Sequence, residues 1–286
     1  MGSSPFEPLV RSVAQIEALD GVAAPVGKAA RKLASGTLGE VLSGTWLGHS
    51  LHPLLTDVVI GSFTSATLLD LLGGEAASRN RLVAVGLAAY APTALAGVTD
   101  WAASEAVDPA VRRTGLVHAA ANAVGAGLYG ASLRARRQDR RGSATLLGLA
   151  GLAVMSAGGY LGGHLSFALG VGVDQTVFDR GSEEWTDVGS AADIAAGEPR
   201  RLLAEDTPVL LVRHDHGIHA IHDRCSHRGC SLADGELHGE TVVCGCHGSR
   251  FALADGAVIN GPATAPQPAF EAREREGRIE VRRASR

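Results

Sequence analysis

Four apolar stretches, at 54–72, 82–103, 115–133 and 144–171, dominate the first half of the chain. Each is near the roughly 20 residues that an α-helix needs to cross a bilayer. A soluble four-helix bundle would need a polar stripe along every helix. Runs such as LVAVGLAAYAPTALAG and LLGLAGLAVMSAGG have none. Charge is sparse through this half and dense after it, so the 286 residues divide more readily into two domains than one. The expected fold is α+β, with an interfacial helical segment at 1–48, a four-helix transmembrane bundle at 49–173 and a small all-β domain at 174–286. The lipid bilayer is then the first partner. A net charge of −4 leaves no basic footprint for nucleic acid.

Sidedness follows from the loops. The first and third connections carry Arg79, Arg81, Arg134, Arg136, Arg137, Arg140 and Arg141. Lys and Arg favour the cytoplasmic side, which places both termini outside. Arg11, Lys28, Arg31 and Lys32 in the N-terminal segment oppose that export. MGSSPFEPLV has no basic region leading into an apolar core, so no cleavable signal peptide is expected. Val10, Val13, Ile16 and Leu19 recur at helical spacing; Gly21 and Pro25 are expected to interrupt, before a second short helix at 28–33. The reading is an integral protein of the cell (inner) membrane, its C-terminal half extracytoplasmic.

After about residue 174 the pattern becomes short strands separated by turns. TPVLLVR, IHAIHD, ETVVCG, GAVIN and RIEVRR alternate with HDHG, ADGE and LADG. This spacing suits a β sandwich or barrel. The four cysteines all fall between 225 and 246, which points to metal chemistry rather than a scattered disulfide framework. They occur as Cys225-Ser-His227-Arg-Gly-Cys230 and Cys244-Gly-Cys246-His247-Gly-Ser249. One C-x-H and one C-x-x-H suit two thiolates and two imidazoles on a two-iron centre. Tetrahedral zinc takes the same donors, though finger sites use other spacings. His214, His216, His219, His222 and His238, in the same half, read as solvated loop residues.

The run CSHRGC…CGCHGSRF…DG…NGPA resembles the Rieske [2Fe–2S] family over about the last hundred residues. The resemblance implies Cys225 and Cys244 on one iron and His227 and His247 on the other. It places Cys230 and Cys246 where members of cytochrome bc complexes have a disulfide between the cluster loops, and Pro262 in the proline loop that covers the cluster. Ser249, two residues after His247, is close enough for its hydroxyl to donate to a cluster or ligand sulfur, which raises the potential. High-potential relatives place Tyr two residues further on, where this chain has Phe251. The expected potential is therefore below theirs and above that of an all-cysteine cluster.

In the apolar half, alternating spans would bring His52, Asp100, His118 and His164 towards one membrane face. Ionisable residues in a bilayer are costly and point to function. Two of the histidines are read as axial ligands of a haem b, or the group as a proton-handling or structural network. HSLHP…D…GVTDW…H…GGHL also resembles a four-helix membrane domain found next to Rieske domains. The first functional reading is one-electron transfer from a membrane donor, quinol or haem, to a protein acceptor. The alternative is a ferredoxin-like component of an oxygenase or reductase system, with the helices only an anchor. The disulfide pair favours the first reading and Phe251 the second. The short remainder after Ala263 is too small for the mononuclear iron domain of a self-contained Rieske oxygenase.

Overall fold

In the computed structural model, which describes residues 6–106, 108–214 and 217–284, the chain separates into a helical unit, up to Ser43 and Ser50–Val171, and a β unit from Gly172 onward with which the short segment Gly44–His49 is grouped. Seven α-helices occur among the described residues: α1 (Glu7–Ala14), α2 (Asp20–Leu33), α3 (Gly36–Ser43), α4 (Leu51–Leu72), α5 (Ala76–Ala102), α6 (Pro109–Arg137) and α7 (Arg141–Phe167). Gly21 and Pro25 do not interrupt α2, contrary to the sequence expectation. A proline near the start of a helix forfeits only one backbone bond, and α2 is anchored from outside. Arg113 donates to Asp20 through Nε (3.0 Å) and Nη2 (2.6 Å), and Arg112 through Nε (3.1 Å). These guanidinium groups, Arg113 foremost, hold the Asp20 carboxyl down at about 2. Arg31 pairs with the buried Glu105.

The count of four spans is not matched. By length and composition α4, α5 and α7 are apolar enough to cross a membrane, and α6 is not. His118 and Asn122 within it, with Arg112, Arg113, Arg134, Arg136 and Arg137 at its ends, pull its hydropathy down. Helices α4 to α7 nevertheless pack as one four-cornered bundle. Helix α4 touches α5 and α7, and α6 lies diagonally across from it.

The second helical hairpin of this bundle repeats the first. His52, Thr56, Phe63 and Asp70 of α4 have His118, Asn122, Tyr129 and Arg136 of α6 as counterparts, 66 positions on. Gly86, Thr93 and Gly97 of α5 correspond to Gly151, Gly158 and Gly162 of α7. Contacts repeat as well. His52 Nδ1–H donates to Thr93 O (2.9 Å), and His118 Nδ1–H to Gly158 O (2.7 Å). A Cβ on Gly86 would strike the Phe63 ring at 2.5 Å, and one on Gly151 would lie 3.0 Å from Tyr129. Glycine at these points lets each aromatic ring lie against the next helix. Counterparts then meet across the bundle centre. Phe63 stacks on Tyr129 with centroids 3.9 Å apart, and Asp70 accepts from Arg136. The two hairpins are related by a pseudo-two-fold axis along the bundle.

The β unit has two antiparallel sheets. The larger, ordered β1-β10-β9-β4-β3-β2, uses β1 (Thr186–Ser190), β2 (Pro199–Ala204), β3 (Thr207–His214), β4 (Gly217–His222), β9 (Ala269–Arg275) and β10 (Arg278–Arg283). The smaller, β5-β6-β7-β8, uses β5 (Glu236–His238), β6 (Thr241–Val243), β7 (Arg250–Ala252) and β8 (Val258–Asn260). Strand β3 is buried on both faces, which explains its unbroken apolar run. Leu210 and Val212 point into a core shared with Cys225, Leu232, Val242, Cys244 and Phe251. Val209 and Leu211 point into a second core with Ala220, Phe270, Ile279 and Val281. Full burial of each such side chain contributes roughly 1.5–3 kcal/mol.

Candidate metal centre

Two loops built on one plan carry the cysteines and histidines. The first, between β4 and β5, is closed by Cys225 N–H donating to Cys230 O and Gly229 N–H donating to Cys225 O, both 2.8 Å. The second, between β6 and β7, is closed by Cys244 N–H donating to Ser249 O (2.8 Å) and Gly248 N–H donating to Cys244 O (2.9 Å). Gly229 (φ 80°) and Gly248 (φ 78°) sit in the left-handed region that each tight return needs. Beneath the first loop, the buried Asp223 carboxylate accepts from the Ser231 hydroxyl (3.0 Å) and the Ala233 N–H (2.8 Å).

The loops bring their donors together. Cys225 and Cys244 are free, buried and hydrogen-bonded to one another. The His227 and His247 rings lie 5.0 Å apart at 83°. Cys230 and Cys246 are joined by a disulfide with Cα atoms 6.5 Å apart. The four donors named from sequence thus lie together, and the Cys230–Cys246 link joins the two loops beside them. Burial pushes the His227 imidazole down to about 3, with His247 and Arg228 adding to the effect, and burial then Arg228 lowers His247. Both rings are therefore neutral, as metal ligands must be. Sharing a proton with Cys225 pulls the Cys244 thiol down to about 6 and pushes that of Cys225 up. One observation tests the fit of a metal group directly. His227 Nδ1 is enclosed and has no hydrogen-bond partner, a costly vacancy that a metal bond would fill. Two sulfur and two nitrogen donors, one of each per loop, suit a two-iron, two-sulfide group.

A third loop, 261–268, is stapled to both of these. Ala263 N–H donates to Ser249 Oγ (3.0 Å), and the Ser226 hydroxyl donates to Ala265 O (2.7 Å). Ser249 is fully buried and accepts here, leaving its own proton for another acceptor. Pro262 lies in this loop beside Ala263, and the Gly261–Pro262 peptide is cis. Phe251, on β7, is fully buried in the core that contains Cys225 and Cys244. Asp223, Ser226 and the paired glycines were not singled out from sequence. The matching C-x-x-x-G-C and C-x-x-x-G-S frames were the available signal for the glycines.

Other sequence expectations need correction. His222 is not a solvated loop residue: it is fully buried on β4, accepts from Arg224 N–H at Nδ1 (3.0 Å) and faces Asp179 Oδ2 with Nε2 (3.2 Å). His216 lies outside the described residues. In the helical unit, His52 and His118 come together, with ring centroids 6.5 Å apart. Asp100 instead accepts from the Ser50 hydroxyl (2.5 Å), and His164 makes no side-chain hydrogen bond among the described residues.

Joining the two cluster loops through Cys230 and Cys246 closes a segment 16 residues apart in sequence. Loop-closure entropy for that length is worth about 3 kcal/mol. Replacing both cysteines by alanine is expected to cost about that much, read as a lower denaturant midpoint of the β unit. An unchanged midpoint would show the crosslink to be structurally idle.

Known proteins place both units. The family described as "Rieske [2Fe-2S] domain" matches residues 184–271, and that described as "Predicted membrane protein (DUF2231)" matches 48–175. The ferredoxin CarAc of Metapseudomonas resinovorans is 32% identical over 34% of this chain and 92% of its own length. The anthranilate 1,2-dioxygenase ferredoxin subunit of Burkholderia cepacia is 29% identical over 34% of this chain and 91% of its own. The 3-phenylpropionate/cinnamic acid dioxygenase ferredoxin subunit of Escherichia coli K12 is 38% identical over 26% of this chain and 71% of its own. None of these comparisons supports a haem. With two donor-bearing loops locked face to face and relatives of this kind, the chain belongs to the Rieske family of [2Fe–2S] electron-transfer proteins, joined here to a DUF2231 membrane domain.

Proposed function

We propose that this protein is a membrane-anchored ferredoxin that passes single electrons to a protein partner of the oxygenase or reductase class. This reverses the order of the two readings made from sequence, where a quinol-linked role came first. The observation that carries it is Phe251. It occupies the buried position two residues beyond Ser249 and offers no hydroxyl to the cluster loops. The three relatives, all ferredoxin components by name, support the same choice.

Cys225 and Cys244 would hold one iron and His227 and His247 the other, and the bound cluster supplies a one-electron carrier. The chain's own part is positional. The closed loops fix the four donors, the disulfide ties loop to loop, and the Ser249–Ala263 and Ser226–Ala265 bonds hold the third loop over them. His227 and His247 are both half-buried, so the imidazole side of the two loops is where a partner can dock. Helix α6 is proposed to cross the membrane with α4, α5 and α7, because its polar residues are spent inside the bundle: His118 on Gly158, Arg136 on Asp70. The cell membrane, with the β unit on its outer side, remains the reading from loop charge.

The test is a redox titration of the full chain followed by EPR. The midpoint is expected in the lower part of the roughly −150 to +300 mV Rieske range, and Phe251→Tyr should raise it. A native midpoint at the top of that range, or no response to the tyrosine, would restore the quinol-linked reading.

A further inference from the structure

The repeat in the helical unit brings one pair of side chains together with no hydrogen bond between them. Three counterpart pairs meet between the hairpins, and two of the three meetings explain themselves. The aromatic rings stack, and the carboxylate meets a guanidinium. The third brings two imidazoles within 6.5 Å at 79°. Both rings are oriented the same way. Each spends Nδ1–H on a carbonyl of the neighbouring helix, which fixes the tautomer and leaves Nε2 as the acceptor nitrogen, that of His118 within 3.3 Å of Asn122 Nδ2. Each also rests on a glycine one turn beyond that carbonyl. A Cβ on Gly97 would lie 2.7 Å from His52 Cε1, and one on Gly162 would lie 2.9 Å from His118 Cε1. Asn122 Nδ2 is 3.3 Å from both nitrogens of His118 but 2.9 Å from its backbone O, its better acceptor.

A backbone carbonyl that takes up one ring nitrogen and leaves the other as acceptor is the usual support of a metal-bound histidine. The spacing agrees. With metal–nitrogen bonds of about 2.0–2.1 Å, two imidazoles on opposite sides of one metal have ring centroids about 6.4 Å apart. Some counterparts differ in kind, Thr56 from Asn122, Phe63 from Tyr129 and Asp70 from Arg136, whereas the histidines and the glycines they rest on, Gly97 and Gly162, are the same in both halves. We propose that His52 and His118 present their Nε2 atoms to a single metal centre on the pseudo-two-fold axis. The metal is a borderline transition ion that takes imidazole, either bare or carried in a porphyrin.

The experiment uses the full chain in detergent, purified as made and again after incubation with Zn²⁺, Cu⁺ or haemin. Metals are counted by mass spectrometry, iron beyond the amount matched by acid-labile sulfide is assigned outside the cluster, and porphyrin is read from its Soret band. About one extra metal per chain is expected. It should fall at least tenfold in His52→Gln and in His118→Gln separately, with the Rieske EPR signal intact. The Soret band separates a porphyrin from a bare ion, and either supports the proposal. Because glutamine could disturb packing, X-ray absorption at the edge of the bound metal is recorded on the unaltered protein, where two imidazole nitrogens at about 2.0–2.1 Å are expected. Absence of any metal beyond the cluster under all three loadings overturns the proposal. So does a metal that survives both substitutions, or a coordination shell without imidazole. Loss of the cluster alone would leave this count unaffected, so the two sites fail separately.

Discussion

Full-length protein with Cys225→Ser should come off the column with less than a tenth of the native acid-labile sulfide and no Rieske EPR signal. Serine matches cysteine in shape, so the loops and the Cys230–Cys246 link can persist. What is lost is one of two thiolates, and with it half of the sulfur on one iron. The effect should be all-or-none rather than graded. The four donors sit on two rigid loops, so no neighbouring side chain can swing in, and Cys244 is the sole other free thiol. Cys244→Ser should give the same result. Ser249→Ala, by contrast, removes an acceptor for Ala263 N–H and a hydroxyl proton beside the cluster loops, and should keep the cluster at a lower potential. Stoichiometric zinc with no sulfide in the unaltered protein would refute the two-iron assignment altogether.

Replacing Asp70 with asparagine should destabilise the helical unit by about 3–5 kcal/mol, the cost of removing one partner from a buried ion pair. Asp70 is almost fully enclosed, and so is Arg136, with Arg79 close behind. The carboxylate accepts from Arg79 Nη1 (3.0 Å) and Arg136 Nη1 (2.8 Å), so a neutral amide strands two cations at once. Both Nε atoms already lack partners, so neither guanidinium has a spare contact to fall back on. Thermal unfolding in detergent, followed by helical circular dichroism, measures the loss. Pairing Asp70→Asn with Arg136→Met should recover part of it, because the second change removes one stranded charge. A shift in the single variant worth less than about 0.5 kcal/mol would mean that water reaches this pair.

Much of the β unit could be read in advance because its signals are local. TPVLLVR, IHAIHD and RIEVRR announced β3, β4 and β10 through apolar runs bounded by turns. Strands β1, β2, β5, β7 and β9 were missed. TDVGS, PRRLLA and AFEARER are rich in polar and charged residues, ELH and RFA are only three residues long, and only pairing with a neighbour reveals them. The cluster loops were legible because cysteine and histidine at short spacing are rare outside metal sites. Their staples, Ser226 to Ala265 and Asp223 to Ala233, were not, since serine and aspartate in loops look alike whether solvated or buried. In the helical half, all four long helices were read as apolar spans; α6 falls short because His118, Asn122 and the arginines at its ends lower its hydropathy. The repeat escaped notice for a related reason: its halves share spacing more than identity, and the pairs that define it meet only once the chain is folded.

The swap of carboxylate for guanidinium between positions 70 and 136 settles which hairpin can sit opposite which. Two copies of the first hairpin, facing each other in this geometry, would set aspartate against aspartate; two copies of the second would set arginine against arginine. In surroundings this dry, like charges at contact repel by several kcal/mol. A bundle assembled from unlike halves is the arrangement in which that corner is neutralised. One ion pair therefore acts as a key for intramolecular mating, and it biases the chain against exchanging a hairpin with its neighbour in a crowded bilayer.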